Sequence, residues 1–227
     1  MKLSIAVATN RSIYWVRFCE ALAKNDTQVE VIFVGPVGVG VTDLAVPAWF
    51  INVPDPAVGA ARCWEVGARA ATGDLLGLAA DDCVYSPGFL DALVKEASKP
   101  HHPYDMFSAR YHVSGTDNTG QQRMWSMPEM PLVPVGGFAF AGPYHRLGGI
   151  DRRFHGVFWD SDLYMHMYQL GGRTTLLADH VCDEQNHEHV LYGANHGADQ
   201  AVLHELWPAP LSPDMQRASP RERWGEL

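Results

Sequence analysis

The sequence contains no apolar run approaching the roughly 18 residues that a membrane-crossing helix requires. Its opening, residues 1–10, carries one basic residue and a very short apolar stretch. That stretch ends on polar Thr9-Asn10-Arg11 without a small-residue cleavage site, so it reads as a buried first strand and not as a secretory segment. Basic residues are scarce. Seventeen Lys and Arg stand against 26 Asp and Glu, and the net charge of −9 argues against a protein that coats duplex nucleic acid, though it allows a local basic groove. The four cysteines, Cys19, Cys63, Cys83 and Cys182, form no CxxC pair, so nothing demands an oxidising compartment and the cytoplasm is the expectation. A GxxxxGK[ST] phosphate loop is missing, and Gly35-Pro36-Val37-Gly38-Val39-Gly40 lacks both a following Lys and the dinucleotide spacing. No GxSxG elbow or HExxH helix occurs either. With 47% hydrophobic and only 19% charged residues, the chain has the composition of an ordered globular domain.

The first half of the chain alternates two periodicities. Residues 3–8, 28–34, 49–53 and 75–80 read as strands, the last nearly all apolar as a strand buried on both faces should be. Between them, residues 12–24 read as a helix with Ser12 as N-cap and Ile13, Val16, Phe18, Leu22 and Ala23 inward. Residues 57–71 read as an Ala-rich helix closed by Gly73, and 87–97 as a third helix. Such a β-α-β-α rhythm calls for a mostly parallel, Rossmann-like central sheet flanked by helices, an α/β fold. In the second half, residues 104–113 and 173–178 read as strands, and 160–170 and 195–206 as helices. Residues 114–131 are a long aperiodic stretch containing Trp125, of a length usually reserved for function. A Pro- and Arg-rich tail, residues 208–227, is expected to be loosely ordered. Without a repeat or linker, residues 1–207 read as one domain, with halves 1–100 and 101–207.

Three segments carry chemistry-bearing side chains. Asp81-Asp82 follows the apolar strand 75–80, at the end of the strand beyond which open α/β sheets bind ligands. Both acids can serve one site only if the chain turns there, which the following Tyr85-Ser86-Pro87-Gly88 would allow. Paired carboxylates suit a hard divalent cation such as Mg2+ or Mn2+; alternatively they cap the helix beginning near Ser86. Asp160 and Asp162 open the helix 160–170, where negative charge is favoured by the helix dipole. Asp160 also fits a general base, whereas Asp162 fits the dipole role alone. The stretch 180–189 is rich in histidine, with His187 and His189 two residues apart; a zinc site with His196 and Asp183 or Cys182 matches no standard spacing.

Taken in order, these segments resemble the GT-A fold glycosyltransferases, in particular the family 2-like group. The resemblance covers about residues 2–207. Its most specific part is Gly67-Ala68-Arg69-Ala70-Ala71-Thr72-Gly73-Asp74, running on through the strand to Asp81-Asp82 and Tyr85-Ser86-Pro87-Gly88-Phe89-Leu90. This is similar to the family's run ending in its DxD-type metal motif. Gly136-Gly137-Phe138 with Leu147-Gly148-Gly149-Ile150-Asp151 resembles its "lGGFD" segment, and Phe158-Trp159-Asp160-Ser161-Asp162-Leu163 with Gly171-Gly172-Arg173 its "gEDvDl" segment. Asp199 to Trp207 is similar to its C-terminal "D…F…W".

The resemblance implies a single GT-A-type domain that moves a sugar from a nucleotide-sugar donor to an acceptor hydroxyl, with inversion and a Mn2+ or Mg2+ ion. The donor would lie near Thr9, Asn10 and Arg11, with Arg62, Glu65 and Asp81 also at its site; Asp82 with His187 or His189 would hold the metal, and Asp160 would be the catalytic base. The acceptor stays open among a glycan, a lipid-linked sugar, a protein side chain and a modified nucleic-acid base. Three departures stand out: Val34-Gly35-Pro36 replaces the turn whose first acid helps hold uracil, Glu65 replaces the usual Asn, and Trp159 replaces the acid before the base. They keep open a catalytically inactive sugar- or partner-binding protein. A sugar nucleotidyltransferase is a weaker alternative, because Ala8-Thr9-Asn10-Arg11-Ser12 is not that class's Gly-rich basic loop.

Overall fold

The computed structural model describes residues 1–37, 43–124, 127–185, 192–209 and 212–225. Four strands form a parallel block: β1 (Leu3–Ala8) lies between β2 (Val29–Gly35) and β4 (Leu75–Ala80), and β3 (Ala48–Asn52) flanks β2. Alternation along β1 decides the layers. Leu3, Ile5 and Val7 pack with α1 (Trp15–Leu22) and α3 (Phe89–Ala97), while Ala6 and Ala8 face α2 (Ala60–Ala70). The small residues on the second face have a purpose. A Cβ on Gly67 would come within 2.8 Å of the Ala6 Cβ, so α2 lies unusually close to β1.

Beyond β4 the sheet becomes mixed. β5 (Cys83–Tyr85) follows it at once in sequence but pairs elsewhere, and β6 (Met106–Val113) carries the small β7 (Thr116–Asp117) as an antiparallel partner. β8 (Phe138–Phe140) enters antiparallel between β4 and β6, and leads directly into α4 (Ala141–Leu147). After α5 (Trp159–Gln169), β9 (Thr174–Glu184) runs parallel to β6 across a register irregularity at Ala109/Arg110, and β5 pairs antiparallel with its far end. The resulting order is β3-β2-β1-β4-β8-β6-β9-β5, and α6 (Tyr192–Leu206) packs against α5. β9 extends through His180 to Glu184, so the first part of the histidine-rich stretch is sheet. No helix among the described residues is long and apolar enough to cross a membrane, and the four cysteines are buried and unbridged.

Two expectations need correction. The inward stripe of α1 is Trp15, Phe18, Cys19 and Leu22, spaced i, i+3, i+4, i+7; Ile13 and Val16 are exposed at 77% and 44%. Ser12 opens a 3-10 turn ahead of α1 without capping it, because the indole of Trp15 is drawn inward onto Phe33, 4.3 Å between ring centroids. The second correction concerns the tail. Expected to be loose, it is instead fastened by buried charge. Asp151 and Asp162 are fully buried; Arg217 bonds Asp151 at 2.6 Å and Asp162 at 2.7 Å, and Arg221 pairs with Asp162 at 2.7 Å. The Trp207 indole completes Asp162 at 3.0 Å, and Arg69 donates to the carbonyls of Trp224 and Gly225. Asp162 therefore does far more than complement a helix dipole: it ties α5 to Arg217 and Arg221 of the C-terminal segment.

Such a network is costly to break from one side, since the remaining charges stay buried. Arg217→Met is expected to lower unfolding free energy by about 3–5 kcal/mol in denaturant titration. The same network sets a pH response. Burial, helped by neighbouring Arg221, depresses His166 from 6.5 to about 4, so between those values the unfolded chain binds a proton that the folded chain does not. Stability should fall as pH drops from 6.5 towards 4, and His166→Gln should remove that part of the slope in unfolding curves measured across the window.

Candidate active site

β4 ends at Ala80, and the next two residues, Asp81 and Asp82, form a tight turn that sends the chain into β5. The turn occurs at the acids themselves, earlier than the Tyr85-Gly88 segment that was expected to provide it. Neither acid caps the following helix, whose N-cap is Gly88 without a side-chain bond, so the bland capping role does not apply. Both carboxylates are almost fully buried, at 2% and 3% exposure. Asp81 is completely furnished: Thr9 Oγ1 donates to its Oδ2 at 2.5 Å, and Arg11 Nη2 donates to its Oδ1. Thr9 Oγ1 is itself held by the Trp15 indole at 3.0 Å and the Arg11 backbone N–H at 3.1 Å. Arg11 Nη2 also donates to Asp82 Oδ2 at 2.8 Å, while Asp82 Oδ1 is buried with no hydrogen-bond partner. Burial pushes the Asp81 carboxyl above its usual value against the opposing pull of Arg11 and Thr9.

An orphaned buried carboxylate oxygen beside a second carboxylate is the kind of donor set a hard divalent cation takes. The acids fit such an ion. Among the described residues no three potential ligands of the His, Cys, Asp and Glu types converge. His187 and His189 lie outside the described residues. The chain does leave β9 beside the acids, because the Gln185 backbone N–H donates to the Asp82 carbonyl at 3.2 Å.

Asp160 lies in the first turn of α5, partly buried, with Oδ1 accepting from the Ser161 N–H at 2.7 Å. Burial raises its carboxyl above the ordinary value, which makes the carboxylate a better proton acceptor. The N-cap before it is Phe158 at φ +59°, a costly conformation for an aromatic residue. The preceding loop is fixed by Asp199, fully buried, which accepts the N–H groups of His155, Gly156 and Val157 at 2.8–3.0 Å. One side chain links the two acidic centres. Trp64 on α2 donates its indole N–H to the Ala79 carbonyl at 2.7 Å, two residues before Asp81, and its ring lies 4.7 Å from that of Trp159, one residue before Asp160. Sequence reading missed Trp64, though an indole in an otherwise Ala-rich helix was the available signal.

The other expected donor residues divide. Thr9, Arg11, Asp81 and Asp82 come together, and Asn10 is exposed beside them. Arg62 lies over the Trp224 ring at 4.8 Å, and Glu65 is spent on the fold. Glu65 accepts from Tyr144 at 2.5 Å, the Ile150 N–H at 3.0 Å and Arg69 at 2.8 Å, fastening α2 to the Gly148-Gly149-Ile150 turn. Where an acid might have reached a nucleobase, Gly35 is pressed against β1: a Cβ there would lie 1.6 Å from the Thr9 carbonyl oxygen. A cavity of about 510 Å3 bounded by Asp74, Lys99, His101 and Phe140 opens at the amino end of β4, opposite the acids and away from where such sheets bind ligands.

No protein-family model matches the chain, and no curated protein does. Solved structures match it over nearly its whole length. The 1–349 fragment of Staphylococcus aureus TarS in complex with UDP-GlcNAc superposes with TM-score 0.68 at 16% identity, covering 94% of this chain and 68% of that one. Against the longer TarS structure this chain spans 41% of the length. The mannosyltransferase PcManGT from Pyrobaculum calidifontis, in complex with GDP-Man and Mn2+, gives 0.62 at 16% identity over 80% of this chain and 56% of that one. GalNAc-T7 with UDP, GalNAc and Mn2+ gives 0.65 at 11% identity over 92% and 48%. The chain has the GT-A fold of glycosyltransferases, as a single α/β domain with a curled central sheet.

Glu65→Ala would leave Tyr144 and the Ile150 N–H without an acceptor. It is expected to cost about 3 kcal/mol of stability in chemical denaturation, while the Asp81–Asp82 turn keeps its contacts.

Proposed function

We propose that this chain is a glycosyltransferase that carries a sugar from a nucleoside-diphosphate sugar to an acceptor hydroxyl, inverting the anomeric carbon with the help of a divalent cation. The observation that carries the reading is the buried, unpartnered Asp82 Oδ1 beside Asp81 at the carboxyl end of β4, in a strand whose Ala79 carbonyl accepts from Trp64, the indole that lies near Trp159, the residue before Asp160. The fold supports it, since the matching structures were solved with UDP-GlcNAc, with GDP-Man and Mn2+, and with UDP, GalNAc and Mn2+.

Each residue then has a task. Thr9 and Arg11 hold Asp81 in place and, with Asn10, border the donor. Asp82 offers Oδ1 to Mn2+ or Mg2+, and His187 or His189, two and four residues beyond Gln185, supplies a further ligand. A cation held there would supply positive charge to offset the negative charge that builds on the diphosphate leaving group. Asp160 takes the proton of the acceptor hydroxyl, and its raised basicity suits it to do so. Asp160 being the base, attack comes from the face opposite the leaving diphosphate. We extend the reading to a hexosyl donor, which the sugars held by the matched structures support.

A second reading keeps the fold and loses the chemistry: a sugar- or partner-binding protein. The Arg11 ion pairs across both acids and the closed Gly35 position favour it.

The two readings separate in a thermal-shift titration of UDP, GDP and their sugars, each with and without Mn2+. The enzyme reading expects a Mn2+-dependent rise with one nucleotide that Asp82→Asn abolishes. Asp160→Asn should keep that rise and lose sugar transfer by about 100-fold or more in a donor-turnover assay. Persistent Mn2+-dependent binding in Asp82→Asn, or undiminished transfer in Asp160→Asn, would contradict the assigned roles.

A further inference from the structure

The acid pair has two unsatisfied atoms that belong to opposite partners. Asp82 Oδ1 is a buried acceptor and Arg11 Nε a buried donor, and neither has a hydrogen bond. Between them the charges do not balance. Two carboxylates share one guanidinium, and a single nitrogen, Arg11 Nη2, bridges Asp81 Oδ1 and Asp82 Oδ2. That nitrogen does for the two carboxylates what a cation would. The two acids are not equivalent, however. Asp81 is held from both sides, by Thr9 and by Arg11, whereas among the described residues the Asp82 carboxylate has Arg11 alone. Arg11 itself is partly open to solvent: its side chain is 31% exposed, and its guanidinium lies over the Tyr14 ring at 4.8 Å, with Arg17 over the same ring at 5.2 Å.

We propose that Arg11 is an exchangeable counter-ion that couples cation binding to nucleotide binding. The proposal rests on the donor-site reading given above and adds a regulatory property to it. Without ligand, Arg11 bridges Asp81 and Asp82 and keeps a buried pair of like charges tolerable. A divalent cation competes with it for Asp82, the carboxylate with the free oxygen. Arg11 then releases Asp82, retains Asp81, and turns its freed N–H groups, Nε included, to the diphosphate of the nucleotide. Arginine suits that partner because its planar fork matches phosphate oxygens. Cation alone must displace an ion pair with no new partner for the guanidinium, so it binds weakly. Cation with nucleotide gives every charge a partner. By linkage each ligand then raises the affinity for the other by the same factor.

The test uses the full chain and reads binding, not turnover. Free Mn2+ is titrated by electron paramagnetic resonance into wild type, Arg11→Gln and Arg11→Lys, alone and with saturating UDP or GDP, whichever stabilises wild type. Arg11→Gln removes the competing charge, so affinity for Mn2+ alone should rise tenfold or more. The gain in Mn2+ affinity produced by nucleotide should shrink by a similar factor. Arg11→Lys keeps a positive charge and should retain the weak binding of Mn2+ alone. A residue with a merely structural role would weaken Mn2+ binding on removal and not strengthen it. Should Arg11→Gln be poorly folded, Mn2+ alone must raise its melting temperature more than it raises that of wild type; equal or smaller stabilisation contradicts the exchange.

Unchanged or weaker Mn2+ affinity in Arg11→Gln, in a protein that still binds nucleotide in a Mn2+-dependent way, overturns the exchange and leaves the glycosyltransferase reading standing. Absence of Mn2+ binding in wild type and in both variants overturns the cation site itself, and the exchange with it. Stronger Mn2+ binding in Arg11→Gln without any nucleotide response upholds the counter-ion role and overturns its coupling to a diphosphate.

Discussion

Two carboxylates buried side by side need a positive charge, and much of the candidate site is arranged around meeting that need. Moving ionised groups out of water is expensive unless they are paired and hydrogen-bonded. β4 is apolar on both faces and ends in a turn, so it delivers Asp81 and Asp82 together into the interior. Thr9, at the end of the neighbouring β1, furnishes one of them, and Arg11 spans both. What remains is a single carboxylate oxygen of the pair, Asp82 Oδ1, buried without a hydrogen-bond partner.

A second, separate charge cluster holds the other half of the molecule. Asp151 and Asp162 are buried as deeply as the first pair, but here Arg153, Arg217 and Arg221 satisfy them completely enough to fasten the C-terminal segment. Hydrogen bonds from Arg153, Arg217 and the Glu222 backbone N–H outweigh the effect of burial and hold the Asp151 carboxyl at about 2. The contrast is instructive. Both clusters obey the same electrostatics, yet one is saturated by fixed arginines and the other retains an unpartnered oxygen beside a partly exposed arginine. The first has the character of a fastening; the second is the one from which the proposed donor site is built.

The parallel block was legible because its signals are local: apolar strands five to seven residues long and an Ala-rich helix between them. The acids at the end of β4 were legible for the same reason, since position in the sheet alone marks them. Long-range pairing was not. The tail's composition suggested fraying, but Arg217 finds its acids 55 and 66 residues away, which no local pattern reveals. Arg11 was placed near the donor, yet its partners lie 70 and 71 residues on. The α1 stripe was misjudged because Ile13 and Val16 are as apolar as Trp15 and Cys19, and only tertiary packing chooses between overlapping faces. β8 and α4 escaped notice as separate elements because three residues of strand and seven of helix are too short to show a period.

The central claim is that Asp82 Oδ1 is the atom that binds a cation at the donor site. Anomalous diffraction from crystals grown with Mn2+ and a nucleoside diphosphate tests it directly. The account predicts a manganese peak within direct coordination distance of Asp82 Oδ1, with Arg11 swung from Asp82 towards the phosphates. Nucleotide bound elsewhere, or a bound nucleotide with no metal at Asp82 and Arg11 still bridging both acids, would contradict it.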